Sequence, residues 1–311
     1  MITTVTLNPA IDRTVVVEAF VPGTINRVRS SREDMGGKGI NVARILQSLG
    51  SDARATGFIG SRNFSHVRSL LERDKIAFDL VQVPAETRQN IKLIESSTRV
   101  TTDINESGFT VKTNDLAELK AIIKNYAVQS EYVVFSGSIP LGLANSIYQE
   151  LIIALPAACK PVLDADGEAL LLGLTAQPYL VKPNIHELEN ALGRALPTPA
   201  AIVEASRGLI KKHRITYVLV SMGSEGSILV TSEQALFASP LTVDVKGTVG
   251  AGDAMLAGFI HSLASGSSDR EALACATACG ALAVSKEGTE AISKADVTAL
   301  ASQVRISAIP V

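Results

Sequence analysis

The sequence GTVGAGDAMLAGFI, residues 247–260, passes from a glycine-rich loop into an apolar helix. The first turn of such a helix has backbone N–H groups without intrahelical partners, and glycine leaves no side chain to keep an anion away. We therefore expect an anion-binding pocket formed by the backbone of Gly250, Ala251 and Gly252. The alternative is a tight turn in which Asp253 only caps the helix, which aspartate does well. The motif alone does not separate the two.

A second glycine-rich stretch, GGKGINVAR at residues 36–44, also opens a helix and adds a cation and an amide. Lys38 can supply a point charge to a phosphate, and Asn41 can form a hydrogen bond with a hydroxyl group. A flexible turn with a solvated lysine is the alternative for this stretch taken alone. Together, the two stretches predict two anionic ends bound in one cleft.

Two better-known phosphate-binding motifs are absent from the sequence. Gly37-Lys38 lacks a glycine at the upstream spacing of GxxxxGK[ST], and Val42 and Met255 occupy the last position of the two candidate GxGxxG motifs. The chain is therefore predicted to be neither a P-loop enzyme nor a standard Rossmann dehydrogenase.

Strand-like runs rich in β-branched residues alternate with longer helix-like stretches along the chain. The strand-like runs are residues 54–59, 132–135, 161–163, 179–181 and 217–220. This alternation predicts a mainly parallel sheet covered by helices on both faces. We expect residues 1–311 to form a single α/β domain. Its alanine-rich helix at about 270–286 carries few polar side chains and should be largely buried.

Two regions, at about 11–33 and 88–112, depart from this alternation. They contain glycine and asparagine turns and strand-like runs at residues 14–17, from 28 onward, at 91–94 and at 99–101. We expect small antiparallel excursions that form one β-rich flap over the ligand-binding edge of the main sheet and pair with a second subunit. Surface hairpins without a role are the alternative.

The stretch KPNIHEL at residues 182–188 follows an apolar strand, which Pro183 ends. Asn184 and Glu187 lie three residues apart at a helix start, so they share a face and could hold a hydrated magnesium ion through water. A capping box, in which the two side chains satisfy each other's backbone N–H groups, explains the same spacing.

Composition and charge limit the classes of partner. The 311 residues are 46% hydrophobic and 19% charged, enough for a sizeable core, and 29 Lys and Arg against 31 Asp and Glu give a formal charge of -2. No overall field attracts nucleic acid or an anionic membrane, so local chemistry must hold any anionic ligand. Residues 1–7 predict an alternating strand, and Pro9 with Asp12 interrupts the apolar run. We expect no secretory or transmembrane signal and a cytoplasmic protein.

The cysteines and histidines do not form a recognisable site. Cys275 and Cys279 lie one helical turn apart in an alanine-rich segment, and with Cys159 they are expected to be small core residues. The four histidines lack ligand spacing, which disfavours a zinc site or a Ser-His-Asp mechanism.

As a set, these motifs resemble the ribokinase-like (PfkB) carbohydrate kinases, and within them the branch of 1-phosphofructokinases and tagatose-6-phosphate kinases. The similarity extends over nearly the whole chain. Its segments are TLNPAID at 6–12, NR at 26–27, residues 36–43, TRQN at 87–90, TDIN at 102–105, SGSIP at 136–140, residues 182–188 and residues 247–254.

The resemblance implies a doubly wound, mainly parallel sheet with a small β lid, ATP and Mg²⁺ as cofactors, a ketose phosphate as substrate and a homodimer formed through the lid. Asp253 is similar to the family's catalytic base, and the backbone of Gly250, Ala251 and Gly252 to its anion hole. Implied substrate contacts come from Asp12, Arg27, Gly37, Lys38, Asn41, Arg88, Asn90 and Ser138. Implied nucleotide contacts come from Lys182, Asn184, Ser221, Gly223, Gly226, Thr248, Gly250 and Gly252. Asn184 and Glu187 match the pair linked to magnesium.

The resemblance also implies a reaction, phosphorylation of fructose 1-phosphate to fructose 1,6-bisphosphate. Residues 102–108 and GTINR at 23–27 are similar to 1-phosphofructokinases. Tagatose 6-phosphate and fructose 6-phosphate are the alternative substrates. A catalytically silent sugar-phosphate sensor is the alternative of another class, but its mark, a lost base or a broken anion hole, is not seen. Asp166, within DADG at 164–167, stands where many relatives have serine, and Thr24 is also unusual, so the roles of Asp164 and Asp166 stay open.

Overall fold

The computed structural model describes residues 1–98, 100–286 and 288–310. The strands are β1 Ile2–Thr6, β2 Ala10–Val17, β3 Val28–Gly36, β4 Ala53–Gly60, β5 Phe78–Val83, β6 Arg88–Glu95, β7 Thr101–Asn105, β8 Tyr132–Ser136, β9 Lys160–Asp164, β10 Leu180–Val181, β11 Tyr217–Ser221, β12 Ser227–Val230, β13 Ala235–Ala238 and β14 Ile306–Ala308. The helices are α1 Lys38–Ser48, α2 Phe64–Arg73, α3 Thr113–Ala127, α4 Ile147–Ile153, α5 Gly167–Leu174, α6 Ile185–Leu192, α7 Pro199–His213, α8 Ala251–Ala264, α9 Asp269–Val284 and α10 Lys294–Ala301.

The main sheet has ten strands in the order β14-β13-β12-β11-β10-β9-β8-β1-β4-β5. The seven strands from β11 to β5 pair in parallel, and β12, β13 and β14 add an antiparallel edge. The predicted mainly parallel sheet is confirmed. The strand predicted at residues 1–7 forms β1, which is buried along its whole length because it lies between β4 and β8 in the sheet centre.

Helices cover both faces of this sheet. One buried apolar cluster joins the strands to α3, α4, α5, α6 and α7, and a second joins them to α1, α8, α9 and α10. α8 and α9 approach closely because Gly258 faces Cys279, where a β-carbon on the glycine would lie 2.6 Å from the sulfur. Cys159 and Cys279 are buried, as expected for core residues. No helix in the described part of the chain is long and apolar enough to cross a membrane.

A separate four-stranded sheet, which we call the small sheet, has the order β3-β2-β6-β7. The expectation of purely antiparallel excursions is wrong at its centre, where β2 and β6 pair in parallel with Asp12 opposite Asn90. The reason is that β2 follows β1 and β6 follows β5, two strands of the same parallel sheet that run in one direction. The outer pairs, β2 with β3 and β6 with β7, are antiparallel. Arg99, part of the run predicted at 99–101, lies outside the described residues.

Candidate active site

A cavity of about 480 Å³ lies where the parallel strands of the main sheet end. Ligands of open α/β sheets bind at this edge, near the point where the strand order reverses, here between β1 and β8. The cavity is lined by Thr6, Asn8, Ala10, Asp12, Gly37, Lys38, Asn41, Arg88, Asn90, Gly137, Ser138, Asp164, Asp166, Lys182, Asn184, Glu187, Ser221, Val249, Gly250, Gly252 and Asp253. Both glycine-rich stretches therefore contribute to one cleft, as predicted.

The N-terminus of α8 forms one wall of the cavity. Gly250 precedes the helix with φ of 76°, a left-handed conformation that favours glycine, and no side chain caps the helix. The first-turn N–H groups have no intrahelical acceptors, so this wall is suited to an anion. Gly252 faces Lys182, and a β-carbon there would lie 3.3 Å from the ammonium nitrogen. The bare backbone thus leaves room for an anion beside a cation.

The carboxylate of Asp253 is buried and does not cap its own helix, so the capping alternative is wrong. Its Oδ2 accepts a hydrogen bond of 2.8 Å from Nδ2 of Asn41 on α1. Burial, and then the negative charge of Asp164, raise the pKa of Asp253 to about 6, against the opposing effects of Lys38 and Asn41. The structure places a weakly basic carboxylate at the mouth of an anion-binding helix terminus.

Asp164, at the end of β9, is fully buried between two lysines. Nζ of Lys38 and Nζ of Lys182 each lie 3.3 Å from its Oδ1, and Ser136 donates a hydrogen bond of 3.2 Å to its Oδ2. Burial alone would raise the pKa of Asp164, but Lys182 and Lys38 outweigh it and the pKa is lowered. Lys38 is therefore a fixed cation, and the flexible, solvated lysine is excluded. The three side chains together carry one surplus positive charge into the cavity.

The small sheet supplies the opposite wall. Asn90 on β6 donates a hydrogen bond of 2.9 Å to Oδ1 of Asp12 on the adjacent β2, and burial raises the pKa of Asp12 although Asn90 and Arg88 oppose this. Arg88 donates to the backbone oxygens of Asn8 at 3.1 Å and Glu106 at 2.7 Å. These contacts fix the guanidinium group at the cavity edge.

Asn8 lines the cavity but was not among the residues predicted for the site. Its Nδ2 donates to Oγ of Ser138 and to the backbone oxygen of Ser107, each at 3.2 Å, and its buried Oδ1 has no partner among the described residues. Nε of Arg88 is also buried and has no hydrogen-bond partner among the described residues. An unpaired acceptor and an unpaired donor at one wall are suited to a polar ligand. The sequence feature that could have identified Asn8 is its position in the short connection between β1 and β2.

The other end of the cavity contains Lys182, Ser221 and the start of α6. Asn184 and Glu187 form the capping box, with both reciprocal hydrogen bonds at 2.8 Å. Oε1 of Glu187 lies 3.8 Å from Nζ of Lys38 and is not used in the cap. Asp166 also lines the cavity, without capping α5. Among the described residues no three His, Cys, Asp or Glu side chains form a metal-binding group, so a magnesium ion here would need water and phosphate ligands, as it prefers.

Five residues predicted for the site lie outside the cavity lining given above: Arg27, Gly223, Gly226, Thr248 and Ala251. Arg27 is exposed in the loop between β2 and β3, and Gly223 begins a short 3₁₀ turn. Gly226 has φ of 96°, and a β-carbon would lie 2.2 Å from the oxygen of Ala238, so the backbone alone requires glycine there. Thr248 is exposed and accepts a long hydrogen bond of 3.4 Å from N of Ala251.

Comparison with known proteins agrees with this geometry. Residues 5–296 match the model of the pfkB family carbohydrate kinases. The chain is 36% identical to the 1-phosphofructokinase of Escherichia coli (strain K12) over 304 residues, 97% of each chain. It is also 36% identical to the 1-phosphofructokinase of Rhodobacter capsulatus over 315 residues, 99% of this chain and 98% of that one. The crystal structure of phosphofructokinase-2 from Escherichia coli in complex with fructose-6-phosphate has a TM-score of 0.88 at 27% identity, covering 97% of this chain and 98% of that one. The chain therefore belongs to the pfkB family of carbohydrate kinases.

Proposed function

We propose that this kinase transfers the terminal phosphoryl group of ATP to fructose 1-phosphate, giving fructose 1,6-bisphosphate, with Asp253 as the general base. The observation that carries the proposal is the position of Asp253, buried beside the uncapped N-terminus of α8 in a cavity that also holds Lys38 and Lys182. The similarity to two 1-phosphofructokinases over nearly the full chain supports the choice of substrate.

The charges of the cavity suit a substrate with phosphate at one end and a nucleotide at the other. Arg88, with Ser138 and Asn90 nearby, forms the proposed sugar-phosphate end, where a guanidinium group can bind phosphate through paired hydrogen bonds. Asp12 is proposed to accept from a sugar hydroxyl group. Lys182 and Ser221 form the proposed nucleotide end. The backbone at residues 250–252 is proposed to bind the phosphoryl group during transfer.

The proposed step is a direct in-line transfer. The acceptor oxygen forms a bond to the terminal phosphorus, the bond from that phosphorus to the ADP oxygen breaks, and Asp253 takes the proton of the attacking hydroxyl group. The first-turn N–H groups of α8 would stabilise the charge on the transferred group, and Lys38 and Lys182 would add to this. When bound, a magnesium ion would neutralise phosphate charge, and Asn184 and Glu187 would hold it through water. Position matters more than basicity for Asp253, because the hydroxyl group becomes acidic only as its bond to phosphorus forms.

We further propose that the small sheet acts as a lid and as the surface of a homodimer. It covers one wall of the cavity, and closing it would exclude water that competes with the sugar hydroxyl group. The sheet and the loops next to it expose several large apolar side chains: Phe20, Val21 and Ile25 in the β2–β3 loop, Val28 on β3, Val100 before β7 and Ile104 on β7. A second subunit that covers some of these side chains would remove their apolar surface from water.

Assays of kcat/KM test the substrate. With ATP and magnesium, fructose 1-phosphate is expected to give the highest kcat/KM among fructose 1-phosphate, tagatose 6-phosphate and fructose 6-phosphate, with fructose 1,6-bisphosphate as the identified product. Equal or higher efficiency with tagatose 6-phosphate would overturn the substrate but keep the reaction. Binding of all three sugars without turnover would favour the sensor, although an intact base and anion-binding backbone do not support that alternative.

A further inference from the structure

Arg44, one helical turn after Asn41 on α1, is almost completely buried, with 3% of its surface exposed. Its guanidinium group donates through all three nitrogens. Nη1 donates to Oδ1 of Asn41 at 2.7 Å, Nε to Oδ2 of Asp74 at 3.0 Å, and Nη2 to the backbone oxygen of Met35. Arg44 thus contacts Asn41 on the side opposite to Asp253.

The Asn41 side chain has two chemically different ends, and its neighbours select one orientation. Arg44 can only donate hydrogen bonds, so it requires the amide oxygen on its side, and the carboxylate of Asp253 requires the amide NH₂ group on the other. In the reversed orientation the amide oxygen would face the carboxylate and its NH₂ group would face the guanidinium group. Both contacts would be lost, and both would be replaced by repulsion.

We propose that Arg44 is a positioning residue for Asp253, acting through Asn41. It holds the asparagine amide in the single orientation in which Nδ2 donates to Oδ2 of Asp253. This inference rests on the proposed role of Asp253 as the base. It assigns a function in the reaction to an arginine that does not line the cavity itself.

The anchoring of Arg44 makes it suitable for this task. Asp74 directly follows α2 and pairs with Arg73, the last residue of that helix, while Met35 lies on β3 of the small sheet. Three separate elements, α1, α2 and β3, therefore fix one guanidinium plane. A planar group with three anchored nitrogens has little freedom to rotate, and a lysine could not reproduce this geometry.

A double-mutant cycle in the full-length protein tests the proposal. If the buried ion pair of Arg44 had only a structural role, replacing Arg44 would lower stability and leave kcat unchanged. Arg44→Met is expected to lower kcat about 10- to 100-fold, the scale of a misplaced catalytic group, with KM for both substrates within about threefold. In an Asn41→Ala background the same substitution should lower kcat by less than about threefold more, because the residue through which it acts is gone. Equal factors in the two backgrounds, or an unchanged kcat in folded Arg44→Met, would overturn the proposal.

Three further variants keep the test independent of folding and of the proposed base. Asp74→Asn keeps an acceptor for Arg44 but removes the charge, so the melting temperature should fall while kcat stays within about threefold. If Arg44→Met does not fold, Arg44→Lys replaces it in the cycle with the same expected non-additivity. Asp253→Asn separates the two claims. A near-normal kcat in that variant would refute the proposed role of Asp253 as the base. If Asp253→Asn is inactive but the effects of the Arg44 and Asn41 substitutions on kcat are additive, only the proposed role of Arg44 is refuted.

Discussion

Nζ of Lys38 lies 3.3 Å from Oδ1 of Asp164, a carboxylate with no exposed surface. Lys182 approaches the same oxygen at the same distance, so one anion holds two cations at the base of the cavity. Removing the anion would leave two ammonium groups close together with no counter-charge. The arrangement explains how the protein itself holds Lys38 and Lys182 in place.

Asp164→Asn is therefore expected to damage both stability and affinity. Breaking a buried ion pair from one side costs about 3–5 kcal/mol, which denaturant unfolding would detect. KM for ATP should rise as well, because the two lysines lose their common anchor. Glu131→Gln, which breaks the exposed pair with Lys160, is the matched control and should change neither quantity appreciably. Wild-type stability in Asp164→Asn would contradict the proposed role of this carboxylate.

Asp253→Asn should lower kcat by at least ~10²-fold, the usual scale for a general base, with modest changes in substrate binding. Asparagine has the same shape and can still accept the hydrogen bond from Asn41, so the loss reports on the proton acceptor. Single-turnover and steady-state rates with both substrates measure it. Asp115→Asn, outside the cavity, is the control, and near-normal turnover by Asp253→Asn would exclude the role.

The raised pKa of Asp253 predicts the acid limb of the pH profile. A base acts only when unprotonated, so kcat/KM should fall as the pH decreases through about 6. Asp164→Asn removes the nearby negative charge that contributes to the raised pKa, so any residual activity of that variant should have its acid limb at lower pH. An unchanged limb in the variant would mean that another group titrates.

Folding stability should also depend on the ionisation of Asp253, but it should decrease as the pH rises, whereas kcat/KM should increase. The pKa of Asp253 is about 6 in the folded protein and 3.8 for an ordinary aspartate. Between these values the folded state binds a proton that the unfolded state has lost, so this group makes the protein less stable as the pH rises from about 4 to 6. Asp253→Asn removes this dependence. Its melting temperature should therefore exceed that of the wild type above pH 6, and the difference should shrink as the pH falls towards 4.

Arg88→Ala should weaken sugar-phosphate binding. A hydrogen bond to a charged group contributes about 1.5–3 kcal/mol, so KM for the sugar phosphate should rise about 10- to 100-fold while KM for ATP changes little. Arg13→Ala, on the neighbouring β2 and paired only with Glu33 at 3.8 Å among the described residues, is the control. An unchanged KM for the sugar phosphate would refute the proposed role of Arg88 in binding it.

The oligomer proposed for the small sheet can be tested by sedimentation. The wild type is expected to be a dimer at assay concentrations, and Ile25→Asp, at a side chain that is 87% exposed, should shift it towards monomer. Ile153→Asp, at an exposed position on the distant α4, should leave the dimer intact. A strict wild-type monomer would limit the small sheet to covering its own cavity.

Local motifs carried most of the correct prediction. The glycine-rich stretches 36–44 and 247–260 were expected to open helices, and α1 and α8 begin within them. The capping box was one of two interpretations of the spacing of Asn184 and Glu187, and the structure contains it. The alternation of strand-like and helix-like runs predicted the parallel sheet, because the pattern of apolar residues within each run depends on how that run is buried.

Contacts between distant parts of the chain could not be predicted in this way. Asn41 and Asp253 are 212 residues apart, and Lys38 and Asp164 are 126 apart. The sequence contains no pattern that links an arginine at position 44 to a base on another helix. The parallel pairing of β2 and β6 was missed for a related reason, since strand direction depends on where the chain leaves the main sheet.

The place of β1 in the middle of the main sheet has a consequence for synthesis. β1 is synthesised before β4 and β8, so both of its edges are paired only after these two strands have also left the ribosome. The start of α8 also lines the cavity, so a growing chain can complete the cavity only after Asp253 has emerged. A truncated chain that ends before β8 would therefore leave one edge of β1 unpaired, and unpaired strand edges favour aggregation.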